Sequence, residues 1–315
     1  MTATKKMLSN KGVVNVPQLS TFATTNRSLA LPLIWPDNSF ESDGAKYLRK
    51  IREVNGPQFW TEFRDIFAYY CDTLPLKTFK MWAAVWLVPL LTTDRLQALI
   101  MPTYNKCLDE PELCNFLEGL LDPDIGYNRD TDFNNYFSVF DDSRLTANRV
   151  TNVSHLIAGE FKPKDLEQME TIVEIGAGIG DMADIVYKAG FKGKYIIYDF
   201  PELHRVQRWY HHELGLKNIK YVWSPDGLSS ADLCIAAYSL TEMPVNLRRD
   251  IVSKIKDTKN WLLAYSFQNF MIDNKKYMTD EFCPAFADTH KITDIDITNQ
   301  TFDGGGSRYT ILKPL

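Results

Sequence analysis

From Thr171 onward the chain alternates short apolar runs with amphipathic stretches about a dozen residues long, the pattern of a parallel sheet joined by helical crossovers. The runs predict strands at 171–175, 195–199, 219–223, 232–238 and 261–267, with helices at about 181–189, 202–214, 245–256 and 280–288. Two more strands, about 291–299 and 307–313, are joined through Asp303-Gly304-Gly305-Gly306. That connection leaves no room for a helix, so these strands are expected to be antiparallel neighbours. Upstream the spacing is helical: Tyr47, Leu48, Ile51 and Val54, then Phe59, Phe63, Ile66, Phe67 and Tyr70, then Phe79, Trp82, Val85 and Trp86. Residues 1–43, with Pro17, Pro32 and Pro36, read as an extended arm, and 44–160 as a helical region closing on a helix over 143–160. Within it, the Asp- and Asn-rich stretch 122–142 reads as a long surface loop placed to cover a site. The remaining 161–315 form the α/β domain.

Composition narrows the partners. At 315 residues the chain is long enough for about two domains of roughly 150 residues. Its 45% hydrophobic and 24% charged content excludes a disordered or fibrous protein. With 35 Lys and Arg against 40 Asp and Glu the net charge is −5, and no basic run offers the footprint that nucleic acid requires. Five cysteines without a C-x-x-C pair imply neither a disulfide framework nor a zinc knuckle, and a reducing cytoplasm fits them. Met1–Ser20 lacks the apolar core of a secretory signal. The longest apolar stretch, Met81–Leu91, is about half the roughly 20 residues that span a bilayer, so no membrane is expected. The N-terminal arm is the candidate contact for a second subunit.

Ile172-Val173-Glu174-Ile175-Gly176-Ala177-Gly178-Ile179-Gly180 follows a predicted strand and opens a predicted helix, the context in which glycine spacing carries meaning. Glycines there let the backbone approach a ligand, with the helix-start N–H groups facing it. A dinucleotide fingerprint needs a small residue five positions after its first glycine, and that position is Asp181. A pyrophosphate would also meet that carboxylate. What fits is an adenosine without phosphates, and the second strand ends in an acid, Asp199, able to accept from both ribose hydroxyls. Asp199 also reads as a turn residue ahead of Pro201.

These residues resemble the class I S-adenosylmethionine-dependent methyltransferases, whose first motif is an acid followed by G-x-G-x-G and whose second strand ends in an acid. The resemblance covers about 170–315 and implies a Rossmann-like sheet of seven strands with the last one antiparallel. Asp199-Phe200-Pro201-Glu202 and Tyr238-Ser239-Leu240-Thr241-Glu242-Met243-Pro244 are similar to the sugar O-methyltransferase group. By that resemblance S-adenosylmethionine is the cofactor. Glu174, Gly176 and Gly178 would hold its methionine end and Asp199 the ribose, Asp226 would sit near the adenine or simply form a turn, and Ala177, Phe200, Tyr238 and Ser239 would complete the cofactor pocket, with core packing as the alternative for Tyr238. The activity implied is O-methylation of a saccharide or related small molecule; the alternative is a binding or assembly protein that keeps the fold without turnover.

An acceptor hydroxyl is a weak nucleophile at neutral pH, so a base within hydrogen-bond reach would assist it. Glu242, just after the fourth strand, is the first candidate, although Ser239 and Glu242 also have the spacing of a helix capping box. His155, with Asn152 three residues earlier, is the second candidate, with a packing role as its alternative. His204, His211 and His212 are expected on the solvated side of the helix after the second strand. Gln268, Asn269 and Arg308, on the rim that the last strands share with the active site, are placed to bind an acceptor, and no metal site is assigned.

Overall fold

A near-continuous apolar run is stable as a strand when both faces of its sheet are covered, and Ile172, Val173, Ile175 and Tyr195–Ile197 are all fully buried. The computed structural model describes residues 147–269, 272–296 and 307–315. The arm, nearly all of the helical region, the 122–142 loop and the Asp303–Gly306 connection lie outside the described residues. Residues 155–315 belong to one compact unit.

Helix α1 (Ala147–Ala158) and the short α2 (Pro163–Glu167) precede β1 (Thr171–Ile175). The chain then alternates through α3 (Asp181–Lys188), β2 (Lys194–Tyr198), α4 (Pro201–Glu213), β3 (Ile219–Val222), β4 (Leu233–Ala237), α5 (Val245–Lys254) and β5 (Asn260–Ser266). Every element predicted between β1 and β5 is present, with ends shifted by one or two residues. A ribbon of two-residue strands, β6 (Gln268–Asn269) and β7 (Ile272–Asp273), follows, too short to show any period in the sequence. The sheet closes with β8 (His290–Asp296) and β9 (Ser307–Pro314).

The sheet order is β3-β2-β1-β4-β5-β9-β8. Strands β1 to β5 pair in parallel, whereas β9 runs antiparallel between β5 and β8. This is the expected Rossmann-like sheet with an antiparallel last strand. The order reverses between β1 and β4, and in open α/β sheets the crevice beyond the carboxyl ends at such a reversal is where ligands bind.

The helix expected at 280–288 arrives earlier and broken: α6 (Asn274–Tyr277), a π turn over Met278–Phe282, then α7 (Cys283–Phe286). Pro284 offers no N–H to the turn before it, and a widened turn is one way to accommodate that loss. Phe282 and Phe286 pack against Trp261 with ring centroids 5.5 and 5.1 Å away, which fixes the segment to β5.

Candidate functional site

Three glycines make the turn from β1 to α3. Gly176, Gly178 and Gly180 have φ of +73°, +57° and +92°, a region that L-residues with a Cβ avoid. Space is restricted as well: a Cβ on Gly176 would lie 2.4 Å from that of Ser239, and one on Gly180 would lie 2.4 Å from Nε2 of His211. The turn is therefore wedged between the loop after β4 and helix α4. Ser239 Oγ donates to the Ile175 carbonyl and makes no cap to its own turn, so the capping box with Glu242 does not form.

Glu174 and Asp199 stand at the ends of adjacent strands and are both buried. Burial pushes the Glu174 carboxyl up to about 8, against the pull of the Tyr195 hydroxyl, which donates to Oε2 at 2.9 Å. The nearby Asp199 and Asp181 carboxylates add to the rise. Asp199 is pushed up to about 6 by burial, and four donors offset part of it. They are the N–H of Phe200 (2.8 Å to Oδ1), the Gln207 amide (2.9 Å to Oδ2) and the backbone of Ala177 and Gly178. Two loop N–H groups that the sequence assigned to a ligand are thus turned toward Asp199.

Helix α4 supplies what the sequence reading missed. Leu203, His204, Gln207, Tyr210 and His211 form its buried stripe at positions i, i+1, i+4, i+7 and i+8. Gln207 Nε2 also donates to the Gly178 carbonyl at 2.8 Å, and the Tyr210 hydroxyl donates to Asp181 at 2.6 Å. His211 bridges the Gly180 carbonyl (2.9 Å) and the Tyr221 hydroxyl (2.8 Å). The expectation that His204 and His211 are solvated is therefore corrected: both are buried, with pKa lowered by desolvation, and only His212 is exposed. The periodicity with Leu203 was the available signal, masked by the polarity of the residues that carry it.

Tyr238 leaves β4 with φ of +57°, a strained conformation for a residue with a Cβ, and leads into the 3₁₀ turn Leu240–Glu242. That turn is held from below by Arg248 of α5, fully buried, whose Nε donates to the Met243 carbonyl at 2.7 Å and whose Nη2 donates to the Thr241 carbonyl. The Glu242 carboxylate acts favourably on the Arg248 charge. His155 lies behind this loop, its ring 6.1 Å from that of Tyr238 and its Nδ1 2.8 Å from the Tyr309 hydroxyl. Burial lowers its pKa to about 4. Its burial and the Tyr309 contact fit the packing alternative for His155.

Asp226 lies in a 3₁₀ turn with its side chain 81% exposed and paired to Lys254 at 2.7 Å, which fits its alternative as a turn residue. Arg308 does reach the expected rim, opposite Tyr265, but its guanidinium is committed to Asp294 and to Asp296 on β8. Its charge is thus paired within the β8–β9 hairpin. Gln268 and Asn269 are placed only by backbone, paired with Asp273 and Ile272. Beyond β3, Trp223 is 63% exposed and directly follows Val222, whose carbonyl accepts the Asp199 N–H at 3.1 Å.

A cavity of about 510 Å³ lies at the opposite ends of β2 and β3, lined by Lys192, Gly193, Lys194, Asn218, Ile219 and Lys220. Lys220 there donates to the Gly227 carbonyl and Lys192 pairs with Glu167, so it is remote from the crevice and already partnered.

No family model matches the sequence, and no curated protein does. Among solved structures, the magnesium protoporphyrin IX methyltransferase ChlM from Synechocystis PCC 6803 with bound SAM aligns with 53% of this chain and 79% of its own, at 13% identity and TM-score 0.40. An rRNA methylase from Streptococcus thermophilus aligns with 50% and 95%, at 12% identity and TM-score 0.39. The mitomycin 7-O-methyltransferase MmcR aligns with 54% and 57%, at 15% identity and TM-score 0.35. Similarity this remote carries no argument about chemistry, which rests on the residues of the crevice.

Proposed function

We propose that this chain binds S-adenosylmethionine in the crevice beyond β1, β2 and β4 and methylates a hydroxyl of a small, saccharide-like acceptor. The observation that carries the reading is the charge at the glycine turn. Glu174, Asp181 and Asp199 gather there around backbone in the left-handed region. Buried beside Asp199 and Asp181, whose carboxylates raise its pKa, Glu174 stands in a site short of positive charge, which suits a ligand bearing a sulfonium and an ammonium and repels a pyrophosphate.

S-adenosylmethionine would supply a methyl group already activated on a positively charged sulfur. Glu174 is placed to pair with the ammonium end and Asp199 to accept from ribose hydroxyls, while Trp223 offers an exposed aromatic face alongside for a base. Glu242, on the turn that Arg248 fixes, is the group proposed to take the acceptor's proton. Most of the rate then comes from holding donor and acceptor in line, an effect worth up to roughly 7–11 kcal/mol. A saccharide fits the amide-bearing ribbon at Gln268 and Asn269, and the net charge of −5 disfavours a polyanion.

One observation favours a second reading. The Asp199 carboxylate already accepts from the Phe200 N–H and the Gln207 amide, so part of its acceptor capacity is met within the fold, as in a fold that needs no ligand. Calorimetry with S-adenosylmethionine, then isotope-labelled methyl transfer to a panel of saccharides and phenols, separates the two. Binding with transfer to a hydroxyl supports the enzyme, binding without transfer to any member supports the second reading, and absence of binding removes the cofactor.

A further inference from the structure

The glycine turn and Asp199 belong to different strands, and one side chain joins them. Gln207 is fully buried on α4, and its Nε2 donates both to the Gly178 carbonyl at 2.8 Å and to Asp199 Oδ2 at 2.9 Å. Both partners are oxygens, so only the NH₂ end of the amide can face them, and its two hydrogens match the two acceptors. The other end shows what this arrangement forgoes: Gln207 Oε1 is buried with no hydrogen-bond partner among the described residues. An amide used only for packing would turn to satisfy its oxygen. This one is held with its acceptor unmet and both donors engaged at the crevice.

We propose that Gln207 is a positioning residue that ties the Asp199 carboxylate to the Gly178 carbonyl, so that the glycine turn and the ribose acceptor form one preorganised unit. The inference rests on the cofactor reading above. In it, α4 does more than cover the sheet: Tyr210 and His211 fix Asp181 and Gly180 from the same face, and Gln207 sets the orientation and ionisation of the group that meets the nucleoside.

Ionisation gives the test. Burial lifts Asp199 to about 6, with the Gln207 hydrogen bond among the influences that hold it down. The titratable groups that interact with it are Glu174 on β1 and Tyr198 beside it on β2, while Asp181 at the start of α3 acts on Glu174 and on His211 of α4. Replacing Gln207 by methionine, similar in length and without a donor, removes one bond to the charged form and should raise the Asp199 midpoint by about one pH unit.

The experiment follows the Asp199 carboxyl by carbon NMR in the ligand-free full chain from pH 4 to 8.5, identified by its loss in Asp199→Asn. S-adenosylhomocysteine affinity is measured by calorimetry over the same range. In Gln207→Met the carboxyl midpoint should rise by about one pH unit, and the second fall in affinity, below the one that Glu174 sets near pH 8, should rise with it. At pH 8, where Asp199 is ionised in both proteins, the affinities should converge to within a few fold. A folded Gln207→Met with an unmoved midpoint overturns the proposal. If the variant does not fold, the wild-type carboxamide protons of Gln207 serve instead: they should shift with the same midpoint as Asp199, and protons indifferent to that titration overturn the proposal equally. Wild-type protein that binds no S-adenosylhomocysteine at pH 8 overturns the cofactor reading beneath it, a result that the ligand-free titration does not depend on.

Discussion

Glu174 is buried at the end of β1 with its pKa raised from 4.5 to about 8, so the ligand-free protein holds it largely protonated at pH 7. The sign of the consequence follows from linkage. A carboxyl whose folded pKa lies above its unfolded value leaves the fold most stable below about pH 4.5, and that contribution disappears as pH rises toward 8. At about 1.4 kcal/mol per pH unit, the penalty is about 3 kcal/mol at pH 7 and approaches 5 above pH 8. Glu174→Gln keeps an acceptor for the Tyr195 hydroxyl and removes the ionisable group. Thermal denaturation should therefore show the variant gaining on wild type from pH 5 to pH 8, by an amount of order 3 kcal/mol at the upper end. Ligand binding should move the other way. A cation paired with Glu174 requires the carboxylate, so binding S-adenosylhomocysteine at pH 7 should expel about 0.9 proton, the fraction protonated beforehand. Calorimetry in two buffers of different ionisation enthalpy measures that number directly. Glu174→Gln should abolish the release and weaken binding by about 1–3 kcal/mol, the range for a hydrogen bond to a charged group. A stability difference that is flat from pH 5 to 8, or a variant that binds as tightly as wild type, refutes the reasoning.

Asp199→Asn should weaken S-adenosylhomocysteine binding by roughly 1–3 kcal/mol with the fold intact; calorimetry that finds equal affinity removes Asp199 from the site. Glu242→Gln should lower kcat for hydroxyl methylation and leave cofactor affinity nearly unchanged, and full turnover in this variant excludes Glu242 as the base. His155 has its pKa depressed to about 4, so its neutral form supports the fold above about pH 6.5 and that support is lost as pH falls toward 4. Wild type should lose about 2 kcal/mol between pH 7.5 and pH 5 from this group alone, opposite in sign to Glu174. Chemical denaturation of His155→Phe should show that slope removed, and an unchanged slope contradicts the assignment.

What the sequence made legible is what local physics decides. Apolar runs with crossover-length gaps located β1 to β5, and three glycines in a strand-to-helix turn marked backbone that takes positive φ at alternate positions. Other assignments turn on partners far along the chain. Arg308 was placed on the correct rim, but the register that sets Asp296 opposite it decides that its charge is neutralised. Asp226 pairs with Lys254, 28 residues later. The histidines show the same limit in reverse, since polarity alone put His204 and His211 outside, whereas burial follows the helical stripe that begins at Leu203.

That stripe follows from the site itself. A carboxylate buried at the end of β2 must receive donors, and the helix that begins two residues later is the nearest surface able to provide them. An acid at the end of a second strand therefore constrains the residues one and two turns into the next helix. Gln207, eight positions after Asp199, meets that demand, and Tyr210 and His211 extend it to Asp181 and Gly180. Polar residues at helical spacing behind such an acid therefore serve to hold it and the adjoining turn in place.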